Sequence, residues 1–125
     1  MIVGIGTDLV YIPRIRKTID DHGEVFTKRT FTKKENDYAS GKRDVAAYYA
    51  TLFACKEAVF KAMGHSTGEG FFDFRIVEVL HHEDGAPYVN ITDGLRPYML
   101  EAGISSFLVS VSHENDYVIA FLAAQ

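Results

Sequence analysis

The chain has 125 residues, 47% of them apolar, and a formal net charge of −4. This length suits one domain, residues 1–125, and this apolar share supports a core, which excludes general disorder. No apolar run approaches the roughly 20 residues of a membrane helix, and an acidic chain is a poor general binder of nucleic acid.

In chain order, residues 2–5 read as a short strand whose glycines allow close backbone approach. Residues from about Val10 to His22 read as a helix, with Ile15 and Ile19 four apart and Gly23 as punctuation. Thr32-Lys33-Lys34-Glu35 is a capping box that opens a short helix to about Ala39. The longest helix spans about Asp44 to Met63, where Tyr49, Phe53 and Phe60 recur at helical spacing. Lys61 in its last turn suits the helix dipole, and Gly64 is a natural stop. Phe72 to Leu80 and Tyr88 to Ile91 read as strands around an Asp84-Gly85 turn. Thr92 or Asp93 caps a helix to about Ala102. Phe107 to His113 alternates with period two, and Glu114-Asn115-Asp116 turns it into a hairpin with Tyr117 to Leu122. The expected class is α+β, a small antiparallel sheet with helices.

Charge is unevenly spread. Between Arg14 and Arg43 stand nine basic residues against five acidic, whereas the remainder holds four against twelve. Such asymmetry can steer an acidic partner to one face. One cysteine, Cys55, has no thiol to pair with, and the opening residues lack a signal-peptide pattern; both lead to the expectation of a reducing cytoplasm.

Three features carry possible chemistry. Asp8 ends the first strand behind Gly4-Ile5-Gly6-Thr7, where a carboxylate serves equally as a helix cap. Glu57 and Lys61 lie four apart on the long helix and so share a face. Ala54, Cys55, Ala58, Val59 and Phe60 make this turn apolar, so charges set there need partners. Ser110-Val111-Ser112-His113-Glu114 is the third; alternation puts His113 on one face with Val109 and Val111, and the two serines on the other. No G-x-S-x-G elbow supports a serine hydrolase. Zinc is disfavoured, because His81-His82 is an adjacent pair in an acidic turn and Cys55 is alone. Asp8 and Glu57 together offer the two hard oxygen ligands that magnesium takes beside substrate phosphates, with Lys61 placed to lie along them. Residue types leave metal-assisted transfer and hydrolysis both open.

Met1 to Val10 resembles the opening of the holo-acyl-carrier-protein synthase family of short 4′-phosphopantetheinyl transferases. Phe53-Ala54-Cys55-Lys56-Glu57-Ala58-Val59-Phe60-Lys61-Ala62-Met63-Gly64 resembles its central signature, and Val109 to Glu114 its late S-x-S-H-E strand. Arg29-Thr30-Phe31-Thr32 with Glu35, and Asp84-Gly85-Ala86-Pro87, match in order and spacing. The resemblance implies a small antiparallel sheet packed on the long helix and a homotrimer with sites between subunits. It implies transfer of 4′-phosphopantetheine from coenzyme A to a serine of apo acyl carrier protein, releasing adenosine 3′,5′-bisphosphate, for fatty acid biosynthesis. Asp8 and Glu57 would bind Mg2+, and Lys61 would contact the phosphates and help the serine lose its proton. Gly64 and His65 would lie near the coenzyme, with Pro87, Ser112 and His113 reaching it from the adjacent subunit. The helix around Arg14, Arg16 and Lys17 would receive the acidic carrier. One departure stands out: Thr51-Leu52 occupies the place where the family often has Gly-Arg. A cationic contact is then missing or moved, with Lys42 and Arg43 as the neighbouring cations.

Overall fold

The computed structural model describes residues 1–64 and 73–125. The first strand is longer than its local sequence suggests. It runs over Gly4–Tyr11 (β1), and the helix expected from about Val10 begins only at Ile12 (α1, Ile12–His22). The cause lies at the other end of the chain. Strand β5 (Tyr117–Ala124) pairs antiparallel with all of β1, from Gly4 opposite Ala124 to Tyr11 opposite Tyr117. Asp8 to Tyr11 therefore belong to a ladder. Pro13 sits in the first turn of α1, where a missing N–H leaves no bond unmade.

Residues 24–30, without an expected element, form α2 (Glu24–Thr30). Its β-branched Val25, Thr27 and Thr30 weaken the local helical signal. Charge compensates: Glu24 stands in the first turn and Lys28 and Arg29 in the last, matching the dipole. Helix α3 (Lys33–Ser40) starts with the expected capping box: the Glu35 amide donates to the Thr32 hydroxyl, and the Thr32 amide to Glu35 Oε1 at 2.9 Å. Helix α4 (Val45–Ala62) is capped by Asp44, which accepts from the Ala47 amide.

From residue 73 onward, a 3-10 turn at Phe74–Ile76, capped by Asp73, replaces the first part of the expected 72–80 strand. Phe72 lies outside the described residues. Strands β2 (Val77–His81) and β3 (Pro87–Ile91) form a separate hairpin. The Thr92 hydroxyl accepts from the Leu95 amide before α5 (Arg96–Ala102), so Thr92 rather than Asp93 closes that turn. Strand β4 (Phe107–Glu114) joins β5 through the two-residue turn Asn115-Asp116, and the main sheet runs β1–β5–β4. Asn115 takes a left-handed φ of 51° there, a conformation asparagine tolerates.

The core is this sheet packed on α4. Ala46, Ala50, Ala54, Ala58 and Ala62 recur every four residues, all buried, and make a smooth ridge along the helix. Val118, Ala120, Leu122 and Ala124 of β5 are buried on the same side of the sheet. Its opposite side is apolar too, yet open: Ile5, Leu9, Leu108, Tyr117, Ile119 and Phe121 are exposed. Among the described residues no helix is long and apolar enough to cross a membrane.

Candidate functional site

Glycine brings β1 onto α4. A Cβ built on Gly4 would fall 2.0 Å from the Ala62 carbonyl oxygen, and one on Gly6 2.0 Å from that of Ala58. No side chain fits at either position. The strand therefore rides against the helix backbone and runs antiparallel to it. Two strand residues cover about 6.6 Å and four helix residues about 6 Å, so the next inward residue, Asp8, comes level with Ala54. Glu57 and Lys61 project from the row beside the alanine ridge, on the flank that Asp8 meets.

There the Lys61 ammonium donates to the Thr7 carbonyl at 2.9 Å and to Asp8 Oδ1 at 3.3 Å. The Asp8 side chain is 16% exposed and that of Lys61 46%. Burial pushes the Asp8 carboxyl up from its ordinary pKa, against the opposing pull of Lys61. A carboxylate that has lost water without full compensation favours a further cation. Two carboxylates do not cage a metal, and the described residues hold no cluster of three or more histidine, cysteine or acidic groups suited to one. The donor set does fit magnesium, which takes one or two carboxylates and completes its shell with water and phosphate oxygens.

The charge expected to be covered on this helix is not Lys61. Lys56, one residue before Glu57, is fully buried and meets Glu35 at 2.7 Å. Its ammonium also donates to the carbonyls of Phe74 and Val77, and Glu35 Oε2 accepts from the Val79 amide. Lys61 stays half open because its role is outward, toward Asp8 and the solvent side of the flank.

A second group of expected residues lies elsewhere. Pro87 and His113 line a cleft of about 430 Å³ with Tyr38, Lys42, Tyr48 and His81. His81 stacks on Tyr38 with centroids 4.1 Å apart, and Lys42 sits 4.2 Å over the same ring. Burial and the Lys42 charge both hold the His81 pKa down. Ser112 faces the other way, opposite Ile119 on the open apolar side of the sheet. Gly64 follows α4 at φ 83°, its amide bonded to the Lys61 carbonyl. His65 lies outside the described residues.

One chain does not bring the two groups together. Asp8 on β1 and Val111 on β4 both register with Ala120 of the intervening β5, two strand spacings or about 10 Å apart. His113 meets Thr51, ten residues before Lys61 on α4, about 15 Å along the helix axis. On the basic face, Arg16 pairs with Asp44 at 3.4 Å and Lys17 with Asp21 at 2.7 Å, while Arg14 is exposed.

In the sequence Thr51 stands only as part of a departure from the family pattern and His81 only as a disfavoured zinc ligand, while Tyr38 has no assigned role. His81-His82 carries a signal only in combination, since an aromatic four residues before Lys42 supplies the stacking surface. Thr51 stands out locally only as a departure from that pattern, which does not point to His113.

The model of the 4′-phosphopantetheinyl transferase superfamily matches residues 4–122. A holo-[acyl-carrier-protein] synthase of Azoarcus sp. (strain BH72) is 41% identical over 97% of this chain and 95% of its own. That of Brucella ovis is 44% identical over 96% of this chain and 90% of its own. The crystal structure of holo-[acyl-carrier-protein] synthase from Neisseria meningitidis superposes with a TM-score of 0.89 at 34% identity, covering 100% of this chain and 99% of that one. The Helicobacter pylori enzyme, solved in complex with coenzyme A, gives 0.82 at 26% identity over 97% and 99%. The chain belongs to the 4′-phosphopantetheinyl transferase superfamily.

Proposed function

We propose that the protein is a magnesium-dependent holo-[acyl-carrier-protein] synthase, a cytoplasmic homotrimer that serves fatty acid biosynthesis. It transfers 4′-phosphopantetheine from coenzyme A to a serine of apo acyl carrier protein. The observation that carries this reading is the Asp8–Lys61 pair where β1 meets α4, with Glu57 one helical turn before Lys61 on the same face. A carboxylate pair for a divalent ion with an ammonium one helical turn away suits the clamping of a pyrophosphate.

In the reaction the serine oxygen bonds to the phosphorus on the pantetheine side. The bond from that phosphorus to the bridging oxygen breaks, and adenosine 3′,5′-bisphosphate leaves. Asp8 and Glu57 would hold Mg2+, which supplies charge neutralisation at the pyrophosphate. Lys61, held by Thr7 and Asp8, would lie along the phosphate oxygens and stabilise the serine oxygen as its proton passes to water. Gly64 and, by the family resemblance, His65 would border the coenzyme. The basic region around Arg14, Arg16 and Lys17 receives the acidic carrier, since opposite charge speeds docking.

The trimer is supported by two features. The open side of the sheet carries more apolar surface than an isolated domain normally leaves wet. The separation of Asp8 and Lys61 from His113 and Pro87 also favours a site made by two chains, with the partner copies covering the sheet. Light scattering should read three chains for the wild type, and Leu9→Lys with Phe121→Lys should reduce it to one.

The deciding assay is mass spectrometry of the carrier. Incubated with coenzyme A, magnesium and apo acyl carrier protein, the enzyme should add one phosphopantetheinyl group, and chelation should stop it. Coenzyme A cleaved without any mass gain on the carrier would instead make the protein a phosphohydrolase.

A further inference from the structure

His113 is held by its own chain. Thr51 Oγ1 lies 2.9 Å from the Ala47 carbonyl oxygen and 2.9 Å from His113 Nε2. A hydroxyl has one hydrogen, and a carbonyl oxygen only accepts. Two acceptors at that distance would repel, so the Thr51 hydrogen lies on the bond to Ala47, the back-bond that threonine makes within helices. The Thr51 oxygen is then left as an acceptor toward the ring, and Nε2 must carry a hydrogen. Nδ1 is the remaining ring nitrogen: bare in neutral His113, a donor in the imidazolium.

Thr51 is 8% exposed, whereas His113 is exposed and forms part of the cleft wall with Lys42 and His81. A buried hydroxyl on the rigid α4 thus grips an imidazole at the end of an edge strand. Such an outer contact sets ring orientation and tautomer, as the partners of ligating histidines do.

We infer that Thr51 is a positioning residue for substrate binding: it fixes His113 as the Nε2–H tautomer and leaves Nδ1 to meet the bound coenzyme. The inference rests on the proposed transferase reading, in which His113 contacts coenzyme A. Its chemistry is local, because removing the hydroxyl while keeping the shape loosens the ring without touching Asp8, Glu57 or Lys61.

The test compares Thr51→Val and Thr51→Ser with wild type, alone and combined with His113→Ala. Losing one positioning hydrogen bond should raise the KM for coenzyme A about tenfold in Thr51→Val, with the loss in KM rather than kcat. Thr51→Ser keeps the oxygen and should stay within about twofold of wild type. In the His113→Ala background Thr51→Val should add nothing, because the group it positions is gone. Nitrogen-15 spectra of His113 should show Nε2 protonated in wild type and Thr51→Ser, and mixed tautomers in Thr51→Val. Equal KM values for the serine and valine variants, or an undiminished valine effect without His113, would overturn the assignment. So would unchanged His113 spectra in Thr51→Val. If the wild type transfers nothing to the carrier, the transferase reading fails instead, and the spectra still decide the Thr51–His113 contact. Thermal unfolding of each variant separates these results from misfolding.

Discussion

Lys56 and Glu35 meet at 2.7 Å with neither side chain exposed, and between them they tie four segments together. Lys56 belongs to α4 and holds the Phe74 and Val77 carbonyls; Glu35 belongs to α3 and holds the Thr32 and Val79 amides. Burying two charges costs several kcal/mol each, and the pair with its hydrogen bonds offsets that cost. Removing one partner strands the other. Lys56→Met should therefore lose about 3–5 kcal/mol in urea unfolding. Adding Glu35→Gln, which keeps the acceptor oxygen for an amide but removes the charge, should give a loss smaller than the sum of the singles. Strict additivity would mean the two residues act independently.

The glycine crossing predicts a different failure. A Cβ at Gly6 would overlap the Ala58 carbonyl, which is backbone and cannot swing aside. Gly6→Ala must push β1 from α4, and Asp8 moves with it. It should cost about 3 kcal/mol or more and remove most transfer activity in the fraction that still folds. Gly41→Ala is the control, since its Cβ meets nothing nearer than 3.9 Å. Equal melting temperatures for the two variants would show that β1 has room to spare.

Much of this fold is legible because its signals are local. The Thr32 capping box, the Asp44 start of α4 and the Asn115-Asp116 hairpin each depend on residues within four positions. What was not legible depends on distance in the chain. Tyr11 is a strand residue because Tyr117 pairs with it, and Lys56 is buried because Glu35 waits 21 residues upstream. The helix pattern around residue 57 signals buried charge, yet cannot say that Lys56 takes the interior and Lys61 the flank. The candidate site divides the same way. Glu57 and Lys61 share a face by spacing alone, but Asp8 joins them only through the Gly4 and Gly6 approach, and Thr51 meets His113 through the β4 register.

Cys55 gives a pH test of the core. Burial, reinforced by the nearby Glu35 charge, pushes its thiol from the ordinary 9.0 up to about 12. The folded state then keeps the proton that the unfolded chain releases above about pH 9, so stability is complete below that value and falls as pH rises toward 12. The slope reaches about 1.4 kcal/mol per pH unit for one proton. Between pH 9 and 11 the wild type should lose about 2 kcal/mol more than Cys55→Ala, measured by urea unfolding at each pH. Parallel pH profiles would place the thiol in contact with water. The same burial predicts that native protein resists thiol reagents and reacts only on unfolding.

The proposed sharing of one site between two chains yields the most discriminating prediction. Within one chain Thr51 holds His113, and Lys61 leaves α4 about 15 Å farther along its axis. On the proposed reading, the His113 that meets a coenzyme and the Glu57 and Lys61 that hold it come from different chains. On that reading Glu57→Gln alone should be inactive, because every site would lose a magnesium ligand, and His113→Ala alone should be severely impaired, because every site would lose the facing imidazole. Co-expressed, they should form mixed rings if the chain assembles as the proposed trimer. An interface that pairs the His113→Ala chain's intact Glu57 with the Glu57→Gln chain's intact His113 is whole. With random assembly around a closed three-fold ring, about a quarter of the interfaces meet that condition. Each purified mixed ring, with composition verified by mass, has one whole interface in three and should recover about a third of wild-type turnover. Mixed rings no more active than their parents would put His113 and Glu57 of one chain at the same coenzyme and rule out the interface.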